Sequence, residues 1–354
     1  MPRVSAFVDF LFAMELLRQD ELLEPRMAKE EELLLFHQKD YIQALKDASG
    51  GYFRSYFRER FNIGSFENPV CPASYWGSLY ATGASIQVVE LFLNSKIGFN
   101  PAGGMHHAYP DRANGFCFIN DPGIVLSYLL KKGFERVLYI DLDAHHADGV
   151  QDFFYEDRRV FVLSFHQSPS YAFPFNRGYL RELGSGPGFG YNLNVELPKN
   201  TNDEEYMFLF ERILYTVVER FKPEIYVLQL GTDALKEDYL SKLSISNLAL
   251  LEAFRYVNSL LGSGIYLGGG GYNPISTIRA WTVIWCEISK RRLPETINQK
   301  GVELLKSLEF TDFDENDFEH LFLALLDKPQ SGGIRPHFHN ILRDTLEAFL
   351  SAFC

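Results

Sequence analysis

Short continuous apolar runs recur through the middle of the chain, at 96–99, 137–140, 160–165, 225–230 and 265–267. They are rich in Val, Ile, Leu, Phe and Tyr, and Gly, Pro or charged residues bound them. Runs of this length predict strands buried on both faces, as in a parallel sheet. Longer segments with helical spacing lie between them, clearest at 204–221 and 246–261. The amino end, MPRVSAFVDFLFAMELL, sets Asp9 and Glu15 among apolar residues and has no small-residue cleavage signal, which predicts an amphipathic core helix rather than a signal peptide. Strands alternating with helices predict an α/β domain. No repeat, Ser/Gly linker or low-complexity tract interrupts the pattern, so one domain is expected over 1–354. The more polar stretch 291–354, with FDENDFEH and KPQSGGIRPHFHN, reads as peripheral helices and surface segments.

The residues that follow each run carry the chemistry. The five runs lead into NPAGGMHHAYP, DLDAHHADG, HQSPSYAFPF, GTD and GGGGY. Ligands of open parallel sheets sit outside the carboxyl ends of the strands, and five of the nine histidines fall in these tips. In an extended tip Asp141, Asp143 and His145 point to one side. Imidazole with carboxylates suits a hard-to-borderline divalent metal, and Asp233 is the natural further ligand. One His and two Asp would leave positions open for water and substrate. His106 and His107 could serve as general base and general acid, with Asp141 and Asp148 as partners that fix their tautomers. The run Gly268–Gly271 lacks both nucleotide-binding spacings, so the loop reads better as a mount for Tyr272, whose phenol would face a developing oxyanion. Phe116 and Phe173 on the same rim suggest a narrow apolar channel for a long aliphatic arm. His337 and His339 read as surface residues, because nothing acidic or Gly-rich surrounds them.

Composition narrows the partners. Among 354 residues, Lys plus Arg is 34 and Asp plus Glu is 46, a net charge of −12. A phosphate-backbone binder should be basic, so direct nucleic-acid binding is not expected, whereas basic peptide tails or polyamines are. Cys71, Cys117, Cys286 and Cys354 form no CxxC pair, which argues against a disulfide framework or a thiolate metal site and for a reducing cytoplasm. No apolar run reaches membrane-spanning length.

The ordered motifs PAGGMHHA, RANGFCFIND, YIDLDAHHADGVQ, LSFHQSP, LQLGTDAL and LGGGGY resemble the zinc-dependent histone deacetylases, nearest to bacterial histone-deacetylase-like and acetoin-utilisation proteins. The resemblance implies an arginase/deacetylase-like α/β domain with an eight-stranded, mainly parallel sheet and helices on both faces. It implies metal on Asp143, His145 and Asp233, the pairs His106–Asp141 and His107–Asp148, and Tyr272 as the electrophilic tyrosine. Gly115, Phe116, Phe173 and Leu240 would wall an acyl-lysine channel, and Glu67 in SFENPV would grip the substrate backbone at the rim. The metal would be zinc, or Fe(II), Co or Mn. K+ or Na+ would sit on backbone oxygens at Asp141, Asp143 and His145, with Ser164 nearby. The chain departs from the family pattern in two places. The family usually carries a first strand and a rim loop before the stretch that matches PRVSAFVDFLF, whereas Met1 stands almost at that stretch, and Phe66 stands where a Tyr is common.

Hydrolysis of the amide of acetyl-lysine in a peptide or protein is therefore the expected activity. An acetylated polyamine or another small N-acyl amine is the alternative substrate. A two-metal hydrolase and a non-catalytic acyl-lysine reader are the remaining readings. Oligomeric state is not legible in the sequence.

Overall fold

The computed structural model describes residues 3–308 and 320–353. Its centre is a sheet of β1 (Phe99–Asn100), β2 (Val137–Asp141), β3 (Val160–Gln167), β4 (Asn192–Leu197), β5 (Ile225–Gln229) and β6 (Ile265–Leu267). The spatial order is β1-β6-β5-β2-β3-β4, and every pairing is parallel. Among the described residues the sheet thus has six strands, not the expected eight. The expected run at 96–99 shrinks to the two residues of β1, which pair only with β6.

The continuous apolar runs exist because both faces are buried. Leu138, Ile140, Leu163 and Leu228 point into the larger core with the helices Asp203–Phe221, Asn247–Leu261 and Pro274–Ile288. Val137, Tyr139, Val162 and Val227 point the other way, onto Val88, Val89, Val125 and Val150. Period-two alternation of direction along each strand produces the two apolar faces. The amino-terminal helix Arg3–Ala13 buries Ala6, Phe7, Phe10 and Leu11, and Phe7 meets the Trp281 ring edge-on at 5.7 Å. The carboxyl-terminal helix His337–Ala352 adds the fully buried Phe338 and Phe349 to the same core, while His337 and His339 stay exposed. Most of FDENDFEH lies outside the described residues. Cys71, Cys117 and Cys286 are free thiols. No described helix is long and apolar enough to cross a membrane.

Strand β4 escaped the sequence reading because NLNVEL alternates apolar and polar residues as a half-exposed strand would. Its asparagines are nevertheless buried. Asn192 and Asn194 Nδ2 donate to Gln151 Oε1 at 2.7 and 2.8 Å, which lets amides stand in the interior.

A third apolar cluster, from Ala28 to Ile124, fills the space beside the helix Lys39–Ser49. Buried His37 ties it to the sheet layer, its Nε2 accepting the Asn120 N–H at 2.9 Å. Burial pushes the His37 imidazole down to about 3. The unfolded chain therefore takes the proton first, near the ordinary histidine value. The His37 contribution to stability is whole above that value and is lost as pH falls toward about 3. His37→Gln keeps a carbonyl acceptor for Asn120 and cannot titrate. Urea unfolding between pH 7 and 4 should show wild type losing stability faster than this variant, by up to about 1.4 kcal/mol per pH unit. Parallel pH curves would refute the assignment.

Candidate active site

The carboxyl ends of β2, β5 and β6 lie side by side, and their tips meet. β2 delivers Asp141, Asp143 and His145, and β5 delivers Asp233. One ligand atom each from Asp143, His145 and Asp233 lies within 4.8 Å of the others, and all three residues are buried. His145 Nδ1 is 2.8 Å from Asp233 Oδ2 and 3.3 Å from Asp143 Oδ1. Backbone and amide donors hold the carboxylates: Ala144 N–H to Asp233 Oδ1 at 2.8 Å, Gly270 N–H to Asp143 Oδ2 at 2.7 Å, and Gln229 Nε2 to the same oxygen at 2.9 Å. Burial and the adjacent Asp143 charge push the Asp233 carboxyl up. Burial also opposes ionisation of Asp143, but the imidazoles of His106 and His145 outweigh it and hold that carboxyl low. Two buried carboxylates facing one imidazole are relieved by a divalent cation, so this donor set fits one.

The glycines beside these residues make room for carboxylates. A Cβ on Gly231 would stand 2.4 Å from Asp143 Oδ2, and one on Gly270 2.2 Å from Asp233 Oδ2. In the Gly-rich run after β6, a Cβ on Gly268, Gly269 or Gly271 would likewise strike Pro101 O, Gln229 Nε2 or Thr232 Oγ1, so close packing around the site adds a reason for the run beside the expected tyrosine mount.

The loop after β1 carries the histidine pair. His106 Nδ1 is 2.7 Å from Asp141 Oδ2, and His107 Nδ1 is 2.7 Å from Asp148 Oδ1. Their Nε2 atoms face one another at 3.1 Å. Burial would lower His106, but the charges of Asp141 and Asp143 outweigh it and push the imidazole up to about 9. Burial and the neighbouring His106 charge push His107 down. The loop is clamped from beneath. Asp121 accepts from Gly104 N–H at 3.0 Å and Met105 N–H at 2.9 Å, and Asn120 Nδ2 donates to the carbonyls of His106 and Ala108 at 2.9 and 2.8 Å. Asn120 also caps the helix Asp121–Lys131 through Gly123 N–H.

A cavity of about 300 Å³ opens above this floor, lined among others by Glu67, His107, Gly115, Phe116, Phe173, Leu240 and Tyr272. Every expected channel residue is therefore present. The Phe173 ring meets His107 edge-on at 5.0 Å, and Phe116 meets Tyr272 at 6.4 Å. Gly115 and Phe116 both have positive φ, 51° and 65°. Such backbone is strained for Phe116 and persists only where its surroundings impose it. Burial and the nearby Asp233 and Asp143 charges push the Tyr272 phenol well above its ordinary value, so it stays protonated as a donor. Phe66 is fully exposed beside the half-buried Glu67, whose Oε1 accepts from Asn62 Nδ2 at 2.7 Å. Ser164 pairs in register with Asp141, and its hydroxyl lies 2.9 Å from His166 Nδ1.

Several contributors carry no motif. Asp238 accepts from the backbone N–H of Tyr272 at 2.6 Å and of Leu240 at 3.0 Å, so one carboxylate seats both the tyrosine and a channel wall. Arg3 donates to the carbonyls of Gly271 and Gly269 at 2.7 and 2.5 Å, bracing the Gly-rich loop from the amino-terminal helix. Gln167 Nε2 lies 3.3 Å from His145 Nε2. Asn273 caps the helix Pro274–Ile288 through Ile275 and Ser276 N–H, which fixes where Tyr272 leaves the loop. Isolated polar residues with backbone partners give no sequence pattern, although Asp238, five residues after Asp233 of the GTD tip, was a visible signal.

The fold and site define an α/β protein with a buried Asp-His-Asp group at the carboxyl end of its sheet, and comparison gives the family. The histone deacetylase domain model matches residues 1–288. The acetoin utilization protein AcuC of Bacillus subtilis (strain 168) is 35% identical over 294 residues, 81% of this chain and 76% of that protein. AcuC of Staphylococcus aureus (strain MSSA476) is 34% identical, over 81% and 75%. The crystal structure of an HDAC homolog complexed with SAHA is 53% identical, with a TM-score of 0.96 over 98% of this chain and 93% of that one. The HDAC homolog from Aquifex aeolicus is 52% identical with the same TM-score and coverage. The chain belongs to the histone deacetylase family, and that family supports a deacetylase, a hydrolase of acyl amides.

The donor set makes a direct prediction. Chelated protein titrated with zinc should take up one ion per chain, read by equilibrium dialysis with elemental analysis. Asp233→Asn should weaken uptake at least ~10-fold, since even partners outside the ligand set cost that much. Unchanged uptake would place the ion elsewhere.

Proposed function

We propose that this chain hydrolyses the amide of acetyl-lysine in a peptide or protein, with one divalent ion on Asp143, His145 and Asp233. The observation that carries the reading is the convergence of those three ligand atoms with two His–Asp pairs and Tyr272 at the floor of one apolar-walled cavity. Zinc, or Fe(II), Co or Mn, bound there would supply Lewis-acid polarisation of the acyl carbonyl and of water.

The remaining chemistry belongs to the chain. His106 and His107 Nε2, 3.1 Å apart, can share one proton but cannot each donate to the other. The pair therefore holds one transferable proton between its two Nε2 atoms. His107 lines the cavity and meets the substrate first, taking a proton from water and returning one to the leaving amine nitrogen. His106, behind it and paired with Asp141, shares that proton with His107. The Tyr272 hydroxyl donates to the oxyanion. Phe116, Phe173, Gly115 and Leu240 exclude water along the aliphatic arm, and Glu67 at the mouth is placed for a substrate backbone N–H. K+ or Na+ beside Asp141, Asp143 and His145, with Ser164, belongs to the same reading. An acid-rich chain of net charge −12 also favours a small cationic amide, so the acetylated polyamine is kept as the second substrate class.

Zinc-loaded protein should release free amine from an acetyl-lysine peptide, and chelated protein should not. Tyr272→Phe should lower kcat ~100-fold or more while zinc content holds, the usual effect of losing one oxyanion donor. Wild-type turnover in Tyr272→Phe would remove the tyrosine from the mechanism. Release from an acetylated diamine alone would replace the peptide with the small amine as substrate.

A further inference from the structure

Each His–Asp pair in this site is backed by a tyrosine. Tyr139 O–H donates to Asp141 Oδ2 at 2.6 Å, from two residues earlier on β2. Tyr109 O–H donates to Asp148 Oδ2 at 3.0 Å, and Asn114 Nδ2 donates to the same oxygen at 2.8 Å. The other Asp148 oxygen faces His107. We propose that Tyr109 is a positioning residue for the reaction, acting on His107 through Asp148. The proposal rests on the deacylase reading above for its kinetic consequence, but not for its geometry.

The argument begins with the carboxylate. Held by His107 alone, it could turn about its terminal torsion, which is broad and soft. Two donors on Oδ2 fix its plane and therefore the direction in which Oδ1 presents itself to His107 Nδ1. The His107 ring is thereby set with Nε2 toward His106 and the cavity. The same donors draw charge from the carboxylate, which weakens its pull on the His107 proton.

Tyr109 is built to stay in place. It is buried, and its backbone closes a tight turn through Tyr109 N–H to the Arg112 carbonyl at 3.0 Å. The Arg112 guanidinium lies 3.8 Å from the ring centroid, and that of Arg177 lies 5.7 Å away. Arg177 is itself anchored to Asp152 at 2.6 Å. Cations over a phenol ring attract its face and hold the hydroxyl aimed at Asp148. The two pairs thus differ in mounting. Tyr139 sits inside the sheet, whereas Tyr109 sits on a loop pinned by two half-exposed arginines.

The test uses Tyr109→Phe, which keeps the ring and its cation contacts, alone and combined with Asp148→Asn, in zinc-loaded full-length protein. Tyr109→Phe should lower kcat on an acetyl-lysine peptide about threefold to tenfold with KM nearly unchanged, the scale of one hydrogen bond. In the Asp148→Asn background the same change should alter kcat less than about twofold. In histidine-labelled protein, the Nδ1 proton resonance of His107, assigned by its loss in His107→Ala, should move downfield in Tyr109→Phe as the His107–Asp148 bond tightens. An equal fractional loss of kcat in both backgrounds, or an unmoved proton, would overturn the proposal and leave Tyr109 a packing residue. No amine release by wild type would defeat the deacylase reading instead, and the proton shift would then decide the role of Tyr109 by itself.

Discussion

The interior of this protein holds two carboxylates almost in contact. Asp143 and Asp233 are both buried and both turn an oxygen toward His145 Nδ1. Burying one charge without compensation is already costly, and two like charges side by side are worse. The surrounding architecture answers that cost. β2 and β5 are neighbours, so their tips arrive together, and β6 lies beside β5, so its glycine loop closes over both. Backbone N–H groups from Ala144 and Gly270 point inward because the chain turns there. Glycines stand where any side chain would strike a carboxylate. A divalent cation would complete the charge balance, and the same logic explains why the site lies at the sheet end rather than on a surface loop.

The strands that the sequence made legible are those with both faces buried, since a continuous apolar run has no other stable place to go. The same rule hid β4, where Asn192 and Asn194 break the run but bond to Gln151 inside. Strand order was not legible, because adjacency depends on crossovers and not on any local pattern. The expectation of eight strands came from family likeness and not from the residues; the described residues form six, and no further apolar run had called for more. The polar tips were legible as chemistry because Asp, His, Tyr and Gly clustered at strand ends. Their supports were not. Arg3, Asp121 and Asp238 bind backbone groups, and a backbone partner leaves no trace in a residue pattern.

The site also divides its work between rigid and looser parts. Strand ends supply Asp141 and Asp143, while loops supply the cavity wall and both histidines, His106 held by Asp141 of β2 and His107 by Asp148. The two parts meet at Gly115. A Cβ there would lie 2.6 Å from the His107 ring and 2.8 Å from the Phe173 ring. Its positive φ continues into Phe116, which turns that side chain into the channel opposite Tyr272. Cavity wall and His107 are therefore one packed unit, because close-packed interiors pass a displacement on to their neighbours rather than absorb it. Under the proposed function, a substrate arm that presses on Phe116 or Phe173 would press also on the His107 imidazole. Fit of that aliphatic arm would then be felt in turnover as well as in binding, because the atoms that measure the substrate would touch the atoms that react with it.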